Sequence, residues 1–269
     1  MTDMITLRAD LWIPLVAGHF VGDFVLQTDE IVHRKGEVRV AAFHALVVAL
    51  VTWLLTGFTG AWFWLVPAIF LPHLLIDLGK VRADRRLRAR HGQPGDFLDR
   101  NGGLLLFLVD QLLHLAVLVG ILAVVDRATG LQTTLDAPSL WVNTFGAGYL
   151  PFLVLVTGWV LSTSVAGHTL ALGLARFEAE LTPRQKAGLR GGGYWIGVTE
   201  RSLIYLFILL GEPAGIGFLA AAKSVFRIGE IREAEDRKLA EYILIGTLMS
   251  FAVAMLVGVA VREALRALS

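Results

Sequence analysis

The chain contains no cysteine and few charged residues, and each shortage excludes a class of protein or site. Without cysteine there can be no disulfide bond, no thiolate zinc site and no cysteine nucleophile, so a metal would have to use imidazole and carboxylate ligands. Charged residues make up 17% of the 269 residues, well below the roughly 25% of an ordinary soluble domain. The formal net charge of +1 provides no basic excess for binding nucleic acid.

Long apolar runs recur along the whole chain, which is 55% hydrophobic with a mean hydropathy of +0.65. Runs of about 20 apolar residues are typical of transmembrane helices, whereas buried strands of a soluble α/β enzyme are about 4–8 residues long. We therefore predict an all-α, polytopic transmembrane helical bundle of about 6–8 helices, forming a single integral-membrane domain over residues 1–269. The predicted helices cover residues 10–27, 40–58, 61–80, 103–125, 147–170 and 239–262, with a short hairpin or re-entrant pair near 196–226.

Basic residues in the short loops predict the orientation of these helices. The loop 126–146 has Arg127 as its only basic residue and is expected outside, together with the N-terminus. No small-residue cleavage site follows the first apolar run, so we expect no cleavable signal peptide. The arginine-rich stretch 82–90 could instead bind nucleic acid or anionic lipid, but a topology signal is the simpler interpretation. The loops expected at the cytoplasmic face are 28–39, 82–100, 171–193 and 227–238.

Three pairs of histidine and aspartate lie inside the predicted membrane helices. The two members of each pair are four residues apart, which places both side chains on one face of a helix. Ionisable groups in hydrocarbon are costly and usually mark a functional site. With the predicted topology, and a rise of about 1.5 Å per residue, all of them fall within about 16 Å of one membrane face. With His44 from another helix they form what we call the His/Asp cluster: His19, Asp23, His44, His73, Asp77, Asp110 and His114.

Imidazole and carboxylate ligands together suit a divalent metal, with zinc ahead of iron or manganese. A catalytic zinc needs about three protein ligands and one open position, so seven candidates exceed one ion. The surplus could hold a second metal, orient the imidazoles or act as a general base. Hydrogen bonding between helices and a proton or ion pathway remain alternatives. We assign His19, His44, His73, Asp77 and His114 as metal ligands, Asp23 and Asp110 as catalytic, and Lys80 and Gln111 as substrate contacts.

A second polar cluster lies in the C-terminal half, residues 147–262, whereas the His/Asp cluster belongs to residues 1–125. Lys223 and Arg227 are four residues apart and could clamp a phosphate or a carboxylate. They could instead form structural ion pairs with Glu200 and Glu241, or extend to the membrane interface. The candidate anion-binding residues of this half are Glu200, Arg201, Lys223, Arg227 and Glu241.

Six sequence motifs, in order along the chain, resemble one bacterial membrane family of unknown function. The motifs are GHFVGDFVLQTD at 18–29, PHLLIDLGK at 72–80, DQLLHL at 110–115, GYWIGVTER at 193–201, GIGFLAAAKSVFR at 215–227 and AEYILIGTLMS at 240–250, and the family is domain of unknown function 3307. The resemblance implies a multi-helix protein of the bacterial inner membrane and no particular activity. In its pattern of His and Asp on apolar helices, the first half is also distantly similar to membrane-bound metal-dependent hydrolases.

Our leading hypothesis is a membrane-embedded metal-dependent hydrolase that acts from the cytoplasmic side, although the sequence leaves open whether the protein is an enzyme. Membrane lipid is the expected partner, and a phosphate-bearing lipid or other amphiphile is the expected substrate, with no nucleic acid. No His-Glu-x-x-His motif is present, which disfavours a metalloprotease. The alternatives are a proton or metal-ion transporter and a non-catalytic scaffold or regulatory protein. The sequence does not indicate the oligomeric state.

Overall fold

All regular secondary structure that the computed structural model describes is helical. The described residues are 9–58, 62–90, 97–128, 140–185, 189, 191–228 and 237–269. Within them, the predicted all-α fold is confirmed. The described residues form nine helices: α1 Ala9–Phe24, α2 Asp29–Arg34, α3 Val38–Leu55, α4 Leu65–Arg90, α5 Phe97–Ala128, α6 Leu140–Glu178, α7 Gly192–Leu210, α8 Ala214–Ile228 and α9 Arg237–Leu268. Five of these described helices, α3, α5, α6, α7 and α9, are long and apolar enough to cross a membrane.

Several helix boundaries differ from the sequence prediction, and the differences at α1, α4 and α6 are described here. The first helix ends at Phe24, and a separate short helix, α2, follows it with Thr28 as N-cap. The fourth helix continues through the arginine-rich stretch to Arg90, because arginine is a good helix former. Helix α6 spans the predicted 147–170 and extends beyond it at both ends, with a π-helical segment at Leu161–Val165. The length and the apolar composition of the described helices thus indicate a membrane protein. Its location in the bacterial inner membrane stays a prediction.

The predicted hairpin near 196–226 is present as helices α7 and α8. Gly211 ends α7 with φ 75°, a left-handed conformation that favours glycine. The backbone N–H groups of Gly211 and Glu212 donate to the carbonyls of Ile208 and Phe207, which satisfies the last turn of α7. Pro213 then separates the two helices, since it cannot continue the hydrogen-bond ladder.

The chain divides into two compact units, residues 1–157 and 158–267. Within the described part of the first unit, α1, α3, α4 and α5 pack around an apolar core that includes Leu15, Val48, Ile69 and Leu118. One helical turn from these core residues lie His19, His44, His73 and His114, after the core residue on α1 and α4 and before it on α3 and α5. The predicted convergence of four helices on one polar layer therefore follows from the packing of the apolar layer beside it. That both units form one integral-membrane domain stays a prediction.

Gly18 and Gly22 bring α1 into close contact with α3. A Cβ at Gly18 would lie 2.5 Å from the Cα atom of Thr52, and a Cβ at Gly22 would lie 3.0 Å from the Cα atom of Val48. Both neighbours are backbone atoms, which cannot move without shifting a whole helix. Two small residues four apart are a common device for close packing of membrane helices. This contact sets the separation of the helices that carry His19 and His44.

We expect Gly18→Ala to lower the free energy of unfolding by about 1–3 kcal/mol, the usual cost of overpacking. Gly120→Ala on α5 is the matched control, because a Cβ there would meet no atom within 4 Å. The control should be neutral or slightly stabilising, since alanine favours the helix more than glycine does. Unfolding in mixed micelles, followed by circular dichroism, measures both. Equal stabilities of the two variants would contradict the close contact.

Candidate metal centre

All seven residues of the His/Asp cluster are buried, each no more than 7% exposed. Four helices supply them: α1, α3, α4 and α5. The imidazole rings lie against one another, with ring centroids 4.2 Å apart for His73 and His114 and 5.2 Å apart for His44 and His73. His19 stacks on His114 at 5.1 Å. Sequence analysis placed these residues in one layer, and the structure brings their side chains into one contiguous cluster.

Asp23 lies at the centre of the cluster. Its Oδ1 atom is 2.9 Å from the Nε2 atom of His44 and 3.3 Å from the Nε2 atom of His73. Its Oδ2 atom is 3.9 Å from the Nε2 atom of His19 and accepts a 3.4 Å hydrogen bond from Gln111. The carboxylate therefore links imidazoles from three different helices.

Asp77 lies beside Asp23 and is paired with a lysine that the sequence analysis did not assign to the site. Lys35, in the turn after α2, places its Nζ atom 3.1 Å from both carboxylate oxygens of Asp77. The Oδ2 atom of Asp77 is also 3.6 Å from His73 Nε2 and 3.9 Å from His44 Nε2. The lysine side chain is 14% exposed, so it lies at the rim of the cluster. No local pattern predicts this contact, because it joins a turn to a distant helix.

Asp110 is held by two of the polar residues that were predicted as substrate contacts. Lys80 donates a 2.8 Å hydrogen bond to its Oδ2 atom, and Gln111 donates a 3.1 Å hydrogen bond to the same atom. The Nδ1 atom of His114 lies 2.9 Å from the backbone carbonyl of Asp110. Gln111 also reaches His19 at 3.3 Å. Lys80 and Gln111 thus contact the His/Asp cluster directly. Their predicted contact with a substrate stays a prediction.

Several buried atoms of the cluster lack a hydrogen-bond partner among the described residues. They include His73 Nε2, His114 Nε2 and Asp110 Oδ1. Leaving such an atom buried and unpaired costs about 1–3 kcal/mol, which native proteins usually avoid through water, an ion or a ligand. A water molecule, an ion or a ligand would provide these atoms with a partner.

Three overlapping sets of side chains have ligand atoms within 4.8 Å of one another. Two ligands of a tetrahedral ion, each about 2.0–2.1 Å from it, lie about 3.4 Å apart. The imidazole–carboxylate distances of 3.3–3.9 Å across the first two sets are close to this value. The donor atoms present therefore fit a divalent cation. The sets are His19, Asp23 and His73; His44, His73 and Asp77; and Asp77, Asp110 and His114.

The charges of the cluster also favour a cation. Three buried carboxylates, those of Asp23, Asp77 and Asp110, face two ammonium groups, those of Lys35 and Lys80. With neutral imidazoles, these five side chains of the described residues carry one formal negative charge in total. An uncompensated buried charge costs several kcal/mol, so a cation or an extra proton must balance it.

The second polar cluster is described within the second unit. Lys223 donates a 2.7 Å hydrogen bond to Glu200, which is the structural ion pair that the sequence allowed. Glu241 instead pairs with Arg237 at 3.0 Å and is 58% exposed. Arg201 is buried and contacts Thr163 and Ser250. The Arg227 side chain lies outside the described residues, so the predicted Lys223/Arg227 clamp stays a prediction.

Comparison with known proteins gives one family match. Residues 11–140 match the sequence model of a family described as "Protein of unknown function (DUF3307)". The matched stretch contains the whole His/Asp cluster together with Lys35, Lys80 and Gln111. No curated protein and no solved structure matches the chain. The resemblance to this family is confirmed over residues 11–140, which contain the first three motifs. The three motifs after residue 192 lie outside the match, and the similarity to metal-dependent hydrolases stays a prediction.

Proposed function

We propose that this chain, residues 11–140 of which match the family of unknown function DUF3307, binds one divalent cation in the His/Asp cluster and uses it in hydrolysis. One observation carries the proposal: buried imidazole and carboxylate atoms converge at ligand-like distances, and several lack a hydrogen-bond partner within the described residues. A bound cation would give these atoms a partner and would place positive charge opposite the three buried carboxylates. Zinc is the first candidate, followed by iron and manganese.

His19, Asp23 and His73 form the ligand set that suits a single ion best. Two imidazoles and one carboxylate are a common set in hydrolytic zinc sites, which keep a fourth position open. Among the described residues, no lysine pairs with Asp23, whereas Asp77 and Asp110 each have one. We therefore interpret Asp23 as a ligand rather than as a catalytic base. His44, 2.9 Å from Asp23, would orient that carboxylate from outside the ligand set.

Asp110 is the best candidate for the general base. Its Oδ2 atom is fixed by Lys80 and Gln111, while its Oδ1 atom has no hydrogen-bond partner among the described residues. A free oxygen on a fixed carboxylate can accept a proton from a nearby water molecule. A cation in the adjacent ligand set would polarise the substrate and lower the pKa of that water. Asp110 would then accept the proton that the attacking water molecule loses.

The substrate class follows from the rim of the cluster. Lys80 is 31% exposed and Lys35 is 14% exposed, and both place an ammonium group beside the buried carboxylates. Positive groups at the entrance of a site favour an anionic substrate. Since the helices that surround them are apolar enough for a membrane, we propose a phosphate-bearing lipid or similar amphiphile.

We expect Asp110→Asn to retain the cation and to lower kcat by about 100-fold or more, because it removes the general base and leaves the proposed ligands in place. The assay reconstitutes protein loaded with zinc, iron or manganese into vesicles of phosphatidylglycerol and phosphatidylethanolamine. Mass spectrometry then follows the release of lipid fragments. Asp84→Asn, on α4 outside the cluster, is the control variant and should leave kcat unchanged.

The same vesicles separate hydrolysis from transport. Loss of lipid with time, abolished by Asp110→Asn, supports the hydrolase. Cation flux into sealed vesicles without any hydrolysis would instead support transport, for which the two buried Lys–Asp pairs provide a basis. A protein that binds cation but shows neither activity would leave the cluster with a structural role.

A further inference from the structure

Arg201 is a buried cation in the second unit that forms no ion pair with a described carboxylate. It lies on α7 and is 5% exposed. Its Nη2 atom donates to the carbonyl of Thr163 at 3.1 Å, and its Nη1 atom donates to the hydroxyl of Ser250 at 3.4 Å. Both acceptors are uncharged. Among the described residues, therefore, Arg201 has hydrogen bonds but no ion pair.

The carboxylate next to Arg201 in the sequence already pairs with a different residue. Glu200, the neighbour of Arg201 in sequence, accepts a 2.7 Å hydrogen bond from Lys223 instead. Taken together, Arg201, Lys223 and Glu200 carry one formal positive charge. These helices are apolar, and a charge left unpaired in such surroundings costs several kcal/mol. The second unit therefore has the opposite imbalance to the His/Asp cluster of the first unit.

The guanidinium also has unused hydrogen-bond donors. A guanidinium has five N–H groups, and side chains and carbonyls of the described residues accept from only two of them. The buried Nε atom has no partner within this part of the chain. The Nε–H and the neighbouring Nη–H of arginine form a planar fork that matches two oxygens of one carboxylate or phosphate.

The surrounding backbone is shaped around this side chain. A Cβ at Gly167 would lie 2.9 Å from Nη2, and a Cβ at Gly197 would lie 2.8 Å from Nη1. The π-helical segment Leu161–Val165 lies directly before Gly167 and contains Thr163, which accepts from the guanidinium. Such segments are rare and often occur at functional sites. Two glycines and a π segment thus hold the guanidinium in one orientation.

We propose that Arg201 is the anchor of an anion-binding site in the second unit, and that the ligand is an oxoanion with two oxygens free to meet the guanidinium fork. A free phosphate or carboxylate and the headgroup of an anionic lipid share this chemistry. This site is independent of the cation that the first unit is proposed to hold.

The test measures the melting temperature of the full chain in detergent with inorganic phosphate, acetate or chloride at constant ionic strength. Ligand that binds only the folded state raises the melting temperature. We expect phosphate or acetate to raise the melting temperature by several degrees relative to chloride. We expect Arg201→Lys to weaken binding of the anion by about tenfold or more, because lysine keeps the positive charge but loses the planar fork of N–H donors. Arg262→Gln on α9 is the control, since Arg262 already has a carboxylate 3.6 Å away in Glu263.

A second arm separates the two sources of the anion. Protein in bilayer discs of phosphatidylglycerol is compared with protein in discs of phosphatidylcholine, without added phosphate. Stabilisation by phosphatidylglycerol that Arg201→Lys removes supports a lipid headgroup, and stabilisation by phosphate in detergent alone supports a free oxoanion. If Arg201→Lys does not fold, Gly167→Ala replaces it, because the added Cβ displaces the guanidinium without removing it.

Two results would overturn the proposal. The first is a wild-type protein that responds neither to phosphate, nor to acetate, nor to anionic lipid. The second is a response that persists unchanged in Arg201→Lys or, where that variant does not fold, in Gly167→Ala. Either result would mean that neutral acceptors alone satisfy the guanidinium.

Discussion

Replacing His73 by alanine is expected to weaken binding of a divalent cation by more than about 100-fold. Even residues that only orient metal ligands change the affinity by about 10–100-fold, so loss of a direct ligand should exceed this range. His73 has the strongest claim to be a ligand, because its Nε2 atom has no hydrogen-bond partner among the described residues and belongs to two of the three candidate sets. Equilibrium dialysis against zinc, iron and manganese measures the affinity.

His33→Ala is the matched control for this prediction. His33 lies on α2 and is exposed, so its removal should leave cation binding unchanged. Circular dichroism of both variants establishes that the helices are intact. His73→Gln, which keeps a polar side chain of similar length, covers the case in which the alanine variant unfolds. Wild-type affinity in a folded His73 variant would exclude the two ligand sets that contain His73.

Replacing Lys35 by methionine should have two opposite effects. Without cation, it leaves Asp77 as an unpaired buried carboxylate, which should lower the free energy of unfolding by about 3 kcal/mol. With cation, it removes a positive charge that repels the ion, and we expect the affinity to rise by about tenfold or more, which corresponds to about 1.4 kcal/mol. The loss of stability should therefore shrink as the cation concentration increases.

The control for the lysine variant is Lys238→Met. Lys238 pairs with Glu180 at 3.2 Å, but both side chains are more than 60% exposed. Such surface pairs contribute about 1 kcal/mol or less, so this variant should change neither stability nor cation affinity appreciably. A Lys35→Met protein that binds cation more weakly than wild type would contradict the account, because it would make Lys35 a supporting group rather than a competing charge.

The sequence predicted the His/Asp cluster because helical periodicity determines which residues share a face. Four residues make about one turn, so His19 and Asp23, or His73 and Asp77, had to lie together once the helices formed. Successive membrane helices run in opposite directions, so the polar residues of α1, α3, α4 and α5 were expected in one layer near the same membrane face. Lys80 and Gln111 adjoin cluster residues on the same helices, so their presence at the site was also predictable.

The remaining features depend on tertiary contacts that no local pattern encodes. Lys35 reaches Asp77, 42 residues away, from a turn that looked like part of an ordinary loop. The π segment of α6 has no distinctive residues, and it becomes recognisable only beside the Arg201 guanidinium. Glu241 was predicted as an anion-binding residue or as an ion-pair partner of Lys223 or Arg227, but its side chain is largely exposed and pairs with Arg237, one turn earlier on the same helix.

The central claim is that the His/Asp cluster holds one divalent cation, and the most direct test is the metal content of the purified protein. Plasma mass spectrometry of wild-type protein in detergent, after incubation with zinc, iron or manganese and removal of free metal, gives the stoichiometry. We predict about one equivalent of a single metal, because His19, Asp23 and His73 form one ligand set for one ion and the three buried carboxylates favour a cation. Folded wild-type protein that retains no metal under any of these conditions would contradict the account.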